Sequence, residues 1–253
     1  MKSNFRLLAI KYNTIFSAGE TKMNHLKFTF TILISLVFSS LAMAAPEGAI
    51  TTLTVQADDI NKYVQYMKKN PETFKAIGSD VAGVCVTRAG NNYPGEMFVW
   101  NVFPSLEKAL GMIEAYDPAN PAPAFDRLRS VKYAAVFKPL KEFDLEPGFE
   151  RLWRIKLNDE MAFTNKMTEL EAAIRAAGNK VNLAVFAPVG GGIHETGMHH
   201  FRAIFKSGSE AGKVLDQFYA GASFSSIWIE AQQYVDEIVS ETIEVCEVIY
   251  TAK

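Results

Sequence analysis

Residues 190–202 read Gly-Gly-Gly-Ile-His194-Glu195-Thr-Gly-Met198-His199-His200-Phe201-Arg202. Imidazoles, a carboxylate and a thioether this close together could jointly bind Cu or Zn. Adjacent residues of a strand, however, point to opposite faces, so at most one of His199 and His200 can join His194. The His-Glu-x-x-His spacing of zinc hydrolases is absent. His194 and His199 are thus metal candidates without a favoured metal, and the alternative is a polar hairpin with one inward histidine.

His200 and Arg202, two residues apart, share a strand face. Arg202 offers a fixed positive charge for a carboxylate or enolate, and His200 can exchange a proton near neutral pH. The pair is the candidate catalytic set, with Arg154 and Lys156 adding positive charge to the same interior. The competing reading is a hydrated ion network between two sheets, neutralised by Glu and Asp of the opposite half.

Tyr63, Trp100, Tyr116, Phe163, Tyr219 and Trp228 could line an aromatic pocket between helices and sheet, although aromatic residues at helical spacing also build cores. Of these, Trp100, Tyr116 and Tyr219 join Arg154 as candidate substrate contacts. A haem would call for a histidine on a helix or facing that pocket. Only His199 lies on the helix-facing side of its strand, while Tyr and Met offer other ligands. No Gly-x-Ser-x-Gly, Walker A or dinucleotide fingerprint is present, and the triple glycine leads into a hairpin rather than a helix N-terminus.

The elements that must position these residues are written twice. At an offset of 100, Leu53 meets Trp153, Val55 meets Ile155, Asp59 meets Asp159, Tyr63 meets Phe163 and Gly78 meets Gly178. Beyond Gly90 and Gly190 the offset becomes 103, so that Phe98 meets Phe201 and Tyr116 meets Tyr219. Such a repeat constrains the fold strongly. The second hairpin is three residues longer, and it carries the histidines.

Each unit, residues 49–143 and 149–253, reads strand, helix, strand, strand, helix, strand. Residues 49–57 alternate as a strand, Asp58-Asp59 cap a helix running to residue 77, and Gly78 ends it. Residues 81–87 and 97–103 form a hairpin, and a helix over residues 105–116 follows. A Pro-rich break at 117–123 precedes a short helix over 124–130 and a closing strand within 131–143. The second unit repeats this order, with its last strand at 241–250. Strand faces alternate between apolar (Trp153, Ile155; Phe201, Ala203) and mixed polar (Arg154, Lys156; His200, Arg202), which suits helices on one side and a wet interior on the other.

Residues 1–44 read as an export signal: Lys27, an apolar run over 28–38, then Ala42 and Ala44 before the cleavage point. Residues 1–22 can be an upstream mis-start, with Met23 the working start. The competing membrane anchor is barely long enough to span and lacks a stop-transfer cluster. The expectation is a periplasmic or secreted protein with no stable anchor after cleavage. Of 26 Lys/Arg and 28 Asp/Glu, five and one precede residue 45, leaving 21 against 27 and a net charge of −6. That balance argues against nucleic-acid binding. Cys85 and Cys246 are the only cysteines. They are either free buried thiols or one bridge, which an oxidising compartment would permit.

The β-α-β-β-α-β order is ferredoxin-like. Doubled, and with its second helix broken, it resembles the dimeric α+β barrel proteins, in particular the antibiotic-biosynthesis monooxygenase-like and NIPSNAP-like branches. The resemblance covers nearly all of the mature chain and rests on element order. It implies an α+β barrel of two tandem units, acting as a monomeric pseudo-dimer or as a homo-oligomer. It further implies a small-molecule ligand, aromatic or anionic, and a cofactor-independent oxygenase or isomerase if the protein is an enzyme. The alternatives are a non-catalytic binding module and a haem- or metal-binding protein.

Overall fold

Asp59 and Asp159 perform the same local task. Each sits in extended conformation and accepts a hydrogen bond from the backbone three residues on, Lys62 N at 2.9 Å and Ala162 N at 3.0 Å. Those caps satisfy otherwise orphaned N–H groups and start helices α1 (Ile60–Lys69) and α5 (Glu160–Ala176). Ser105 and Ser207 do likewise, accepting from Lys108 N and Glu210 N at 3.2 Å each. They start α3 (Leu106–Ala115) and α6 (Gly208–Tyr219). The repeat therefore reaches down to individual capping bonds.

One expected helix is interrupted. Over residues 58–77, α1 stops at Lys69 and a short α2 (Glu72–Ala76) follows Asn70 and Pro71. Pro71 has no N–H to donate and its ring collides with the carbonyl four residues back. The second unit has Glu171 at that place, and α5 runs unbroken for 17 residues.

The computed structural model describes residues 45–117 and 123–253, and Ala45–Lys253 form one compact unit. The segment read as an export signal and most of the Pro-rich break lie outside the described residues. Strands β1 (Ala49–Gln56), β2 (Val81–Ala89), β3 (Glu96–Phe103) and β4 (Ser130–Pro139) belong to the first half of the chain. Strands β5 (Gly148–Leu157), β6 (Asn182–Gly190), β7 (His199–Phe205) and β8 (Val235–Thr251) belong to the second. The short helices α4 (Pro123–Asp126) and α7 (Ser225–Ala231) precede β4 and β8, respectively.

Hydrogen bonding runs β1-β3-β2-β8-β5-β7-β6-β4 and back to β1, a closed antiparallel barrel. Within each half the order is fourth-first-third-second, the ferredoxin-like arrangement. Two seams join the halves edge to edge, which removes every free edge. The β2–β8 seam is long, from Val81 opposite Thr251 to Ala89 opposite Ile243. The β4–β6 seam is short, from Val136 opposite Gly190 to Pro139 opposite Phe186. Pro139 and Pro188 in that seam have no N–H to contribute.

The last strand is longer than the expected 241–250. Its N-terminal part pairs with β5, its C-terminal part with β2, so that β8 straddles the long seam. Cys85 lies directly opposite Cys246 there, and the two form a disulfide with S–S 2.04 Å. Of the two states open to the cysteines, the structure has the bridge.

Alternate strand residues divide the sheet as the pattern suggests. Leu53, Val55, Val84 and Val99 pack outward on Tyr63, Val64, Met67 and Phe74 of the first helices. Trp153, Ile155, Phe201 and Ala203 pack on Phe163, Met167 and Leu170 of α5. The opposite face lines the barrel interior, where small apolar clusters flank a group of buried charges.

Candidate functional site

Inside the barrel, β7 places His200 and Arg202 on the inward face, β5 contributes Glu150 and Arg154, and β8 contributes Glu244. Arg202 Nη1 donates to Glu150 Oε2 at 2.5 Å and to Glu244 Oε2 at 3.0 Å, and its guanidinium lies 4.9 Å from the Phe98 ring centroid. Thr242 Oγ1 donates to the other oxygen of Glu244 at 3.0 Å. Burial and the neighbouring Glu244 raise Glu150 against the pull of Arg202.

A second cluster seals the barrel beside the first. Glu195 comes from the turn of the second hairpin and is 1% exposed. Strand pairing makes that hairpin one residue longer than the first, not three as expected, with Val185 opposite Phe201 against Val84 opposite Val99. His200 Nε2 lies 2.8 Å from Glu195 Oε2, Tyr133 Oη donates to Oε1 at 2.9 Å, and Arg154 Nε approaches it at 3.4 Å. A Cβ on Gly191 would stand 2.6 Å from the Glu195 Cβ, so the glycine is what lets the carboxylate fold inward. Burial pushes His200 down to about 4, only partly opposed by Glu195. Burial alone would raise Glu195, but the hydrogen bond and charge of His200, with Arg154 and Tyr133, hold it down at about 2.

An ion network does surround His200 and Arg202, but its carboxylates, Glu150, Glu195 and Glu244, come from their own half of the chain. They do not come from the opposite half as expected, because β5 and then β8 lie beside β7 in the sheet and the hairpin turn folds back on it. His200 and Arg202 are both buried, both have protein partners, and the cavity they border measures about 50 Å³. That is room for water rather than for an aromatic substrate. Trp100 departs from its expected place. It faces the barrel interior with Phe98, Cys85 and Cys246, not the helices. It packs where Gly83 leaves space, since a Cβ there would meet the Trp100 ring at 2.0 Å. Lys156 also departs, pairing with Glu237 at 2.6 Å on the exposed side.

The two metal candidates do not converge. His194 stacks on Tyr133 with centroids 4.4 Å apart, while His199 Nε2 lies 2.6 Å from Glu160 Oε2 at the start of α5. Cys85, Cys246, Glu150 and Glu244 do come within 4.8 Å of one another. The sulfurs there are bonded to each other and both carboxylates hold Arg202, so this group offers no thiolate and no free carboxylate pair.

Each half also has a cleft between helices and sheet. The second, about 550 Å³, is lined by Trp153, Phe201, Phe218, Tyr219 and Trp228. Its cation, Arg151, lies over Trp153 and is paired with Glu241 at 2.5 Å. The first, about 350 Å³, is lined by Leu53, Met67, Phe74, Leu110, Ile113 and Phe125, with Tyr116, Asn101 and Arg129 among its few polar residues. Tyr116 and Tyr219 thus line separate clefts. Neither cleft is lined by a histidine among the described residues, so the donors present do not fit an imidazole-ligated haem.

Arg129 is the residue that sequence reading missed. Backbone bonds from Leu128 N and Arg129 N to Phe125 O close the turn after α4 and place Arg129 at the cleft wall. Arg129 Nη1 donates to Tyr63 Oη at 2.5 Å and Nη2 to Tyr116 Oη at 3.1 Å. The guanidinium lies 5.1 Å from the Phe125 ring centroid, and its Nε has no partner among the described residues. The repeat gave no signal for it. Strand pairing relates β3 to β7 at an offset of 102, with Val99 and Phe201 opposite Leu53 and Trp153. It relates β4 to β8 at 107, with Ala135 and Thr242 opposite Thr52 and Leu152, so the offset of 103 does not carry Arg129 onto the second unit.

No protein-family model matches the chain, and no curated protein matches it in sequence. Solved structures do resemble it in fold. A candidate monooxygenase from Lactobacillus acidophilus NCFM is 13% identical with a TM-score of 0.53, over 82% of this chain and 95% of that one. An anthrone oxidase-like protein is 10% identical with a TM-score of 0.51, over 81% and 96%. A mutant chlorite dismutase from Candidatus Nitrospira defluvii is 10% identical with a TM-score of 0.51, over 81% and 94%. With the closed barrel and its two fourth-first-third-second halves, these likenesses establish that the chain has the dimeric α+β barrel fold, built here from two tandem ferredoxin-like units.

Proposed function

We propose that the protein is an exported binding protein for a small, largely apolar molecule, held in the cleft of the first unit. The observation that carries this is a 350 Å³ apolar cleft lined by Asn101 and Arg129, two residues that each keep a buried polar atom, Oδ1 and Nε, without a partner among the described residues. Buried polar atoms are ordinarily paired, and a ligand site is where an exception has a use. Export is supported by the signal-like first 44 residues and by the Cys85–Cys246 bridge, which suits an oxidising compartment.

Binding is favoured over catalysis because no His, Asp or Glu is among the described residues lining the cleft, which leaves no ordinary general base there. Leu110 and Ile113 of α3 are half exposed and line it, so they stand at its rim. Protein purified from its native host should release one apolar compound on solvent extraction, identified by mass spectrometry, and Leu110→Arg should release none. Equal yields from the two proteins would place the ligand elsewhere and sink the proposal.

A second reading, a cofactor-independent oxygenase, draws support from the neighbours named as a candidate monooxygenase and an anthrone oxidase-like protein. In it Arg129 would hold an enolate or phenolate oxygen. Oxygen uptake with anthrone above the uncatalysed rate, lost in Arg129→Met, would move the assignment to that class.

A further inference from the structure

We infer that the ligand of the first cleft is an apolar monocarboxylic acid, anchored by Arg129. This rests on the reading of the cleft as a ligand site and goes further by naming the group that the ligand must carry.

The argument is one of unmatched donors. Arg129 is 9% exposed, yet no carboxylate among the described residues pairs with it. The other buried cations are treated differently. Arg202 has Glu150 and Glu244, Arg154 has Glu195, and Lys141 has Glu171 at 2.6 Å. A guanidinium keeps its charge when buried, and a buried charge without a counter-charge is strongly unfavourable.

Its two hydrogen-bond partners do not supply that charge. Burial pushes Tyr63 up, so its hydroxyl is neutral. A phenol that accepts from arginine uses its oxygen and keeps its proton to give away. Arg129 Nε–H and the O–H groups of Tyr63 and Tyr116 are then donors gathered at one place, with no acceptor for them among the described residues. What the site lacks is an anionic acceptor. The faces of Phe125 and Tyr63, at 5.1 and 5.6 Å from the guanidinium carbon, hold the cation in position.

The rest of the cleft specifies the ligand's body. Leu53, Met67, Phe74, Leu110 and Ile113 offer no charge, so a second acidic group would be buried without a partner. A single carboxylate on a hydrocarbon body satisfies both parts of the surface. The second cleft makes the contrast, because Arg151 there already has Glu241.

The test compares two matched pairs, dodecanoate with dodecan-1-ol and 2-naphthoate with 2-naphthalenemethanol, by calorimetric titration of the delipidated full chain. Wild type should bind at least one acid at least about tenfold more tightly than its alcohol, as expected for a charge-assisted hydrogen bond. Arg129→Met should remove that preference while leaving the alcohol's affinity within about threefold. If Arg129→Met does not fold, as judged by circular dichroism, Arg129→Lys and Tyr116→Phe should each narrow the preference. Equal binding of acid and alcohol by wild type overturns the anchor and leaves the cleft as a ligand site. If wild type binds neither member of either pair, the reading of the cleft itself fails.

Discussion

A charge that water does not reach takes its partner from the protein, and the two sets of buried arginines differ in this respect. Arg202 and Arg154 meet glutamates inside the barrel, whereas Arg129 meets phenols beside a cleft. The first set carries a pH dependence. His200 is held at about 4 in the folded chain against 6.5 unfolded, so the unfolded state takes up the proton first as pH falls. Stability from this residue is intact above pH 6.5 and is lost as pH falls through about 4. Glu195, lowered from 4.5 to about 2, extends the loss below pH 4.5. His200→Gln keeps a donor for Glu195 but does not titrate, so its melting temperature should fall less between pH 7 and pH 4.5 than that of wild type. An identical fall in the two proteins would show that His200 is not the titrating group. The sequence placed His200 and Arg202 on one inward face correctly, because alternation along a strand is local. It did not reveal their partners, because Glu150, Glu195 and Glu244 reach them only through strand pairing and an inserted hairpin turn.

At the level of elements, the packing of Trp100 depends on one missing side chain. Trp100 lies across β2 inside the barrel, and a methyl group on Gly83 would meet both its ring and the Glu247 carbonyl, the latter at 2.4 Å. The backbone of β8 is held in place there by its pairing with β2. Gly83→Ala should therefore destabilise the chain by about 1–3 kcal/mol, the usual range for overpacking, measured by urea unfolding. A change below about 0.5 kcal/mol would mean that the ring can reorient. Helix starts at Asp59, Asp159 and Ser105 were readable because each acts on its own neighbours, whereas the helix expected from residue 210 begins at Gly208 behind its cap Ser207. The break at Pro71 is equally local, but a helix over 58–77 overlooked it. The full length of β8 was not readable, since residues 235–240 become a strand by pairing with β5.

The whole molecule is a barrel closed by two unequal seams. The longer one is also covalent, and its disulfide spans 161 residues of sequence. Cys85→Ser with Cys246→Ser should lower unfolding stability by roughly 2–4 kcal/mol without altering the fold. Denaturant titration with and without a dithiol would measure it. A fall confined to below about 0.5 kcal/mol would show that strand pairing alone sustains the seam.

What the sequence determined by itself was whatever repeats or acts locally: the doubled unit, the caps, the two faces of each strand and, through those, the α+β class. Tertiary structure decided which residues are available for a ligand. It closed the barrel around His200 and Arg202 and supplied their counter-charges, and it turned Trp100 inward. It left Arg129 on the wall of an apolar cleft with no carboxylate paired to it among the described residues. The reason is physical: a side chain's type follows from the chain, but its desolvation and its partners depend on contacts between residues far apart in sequence.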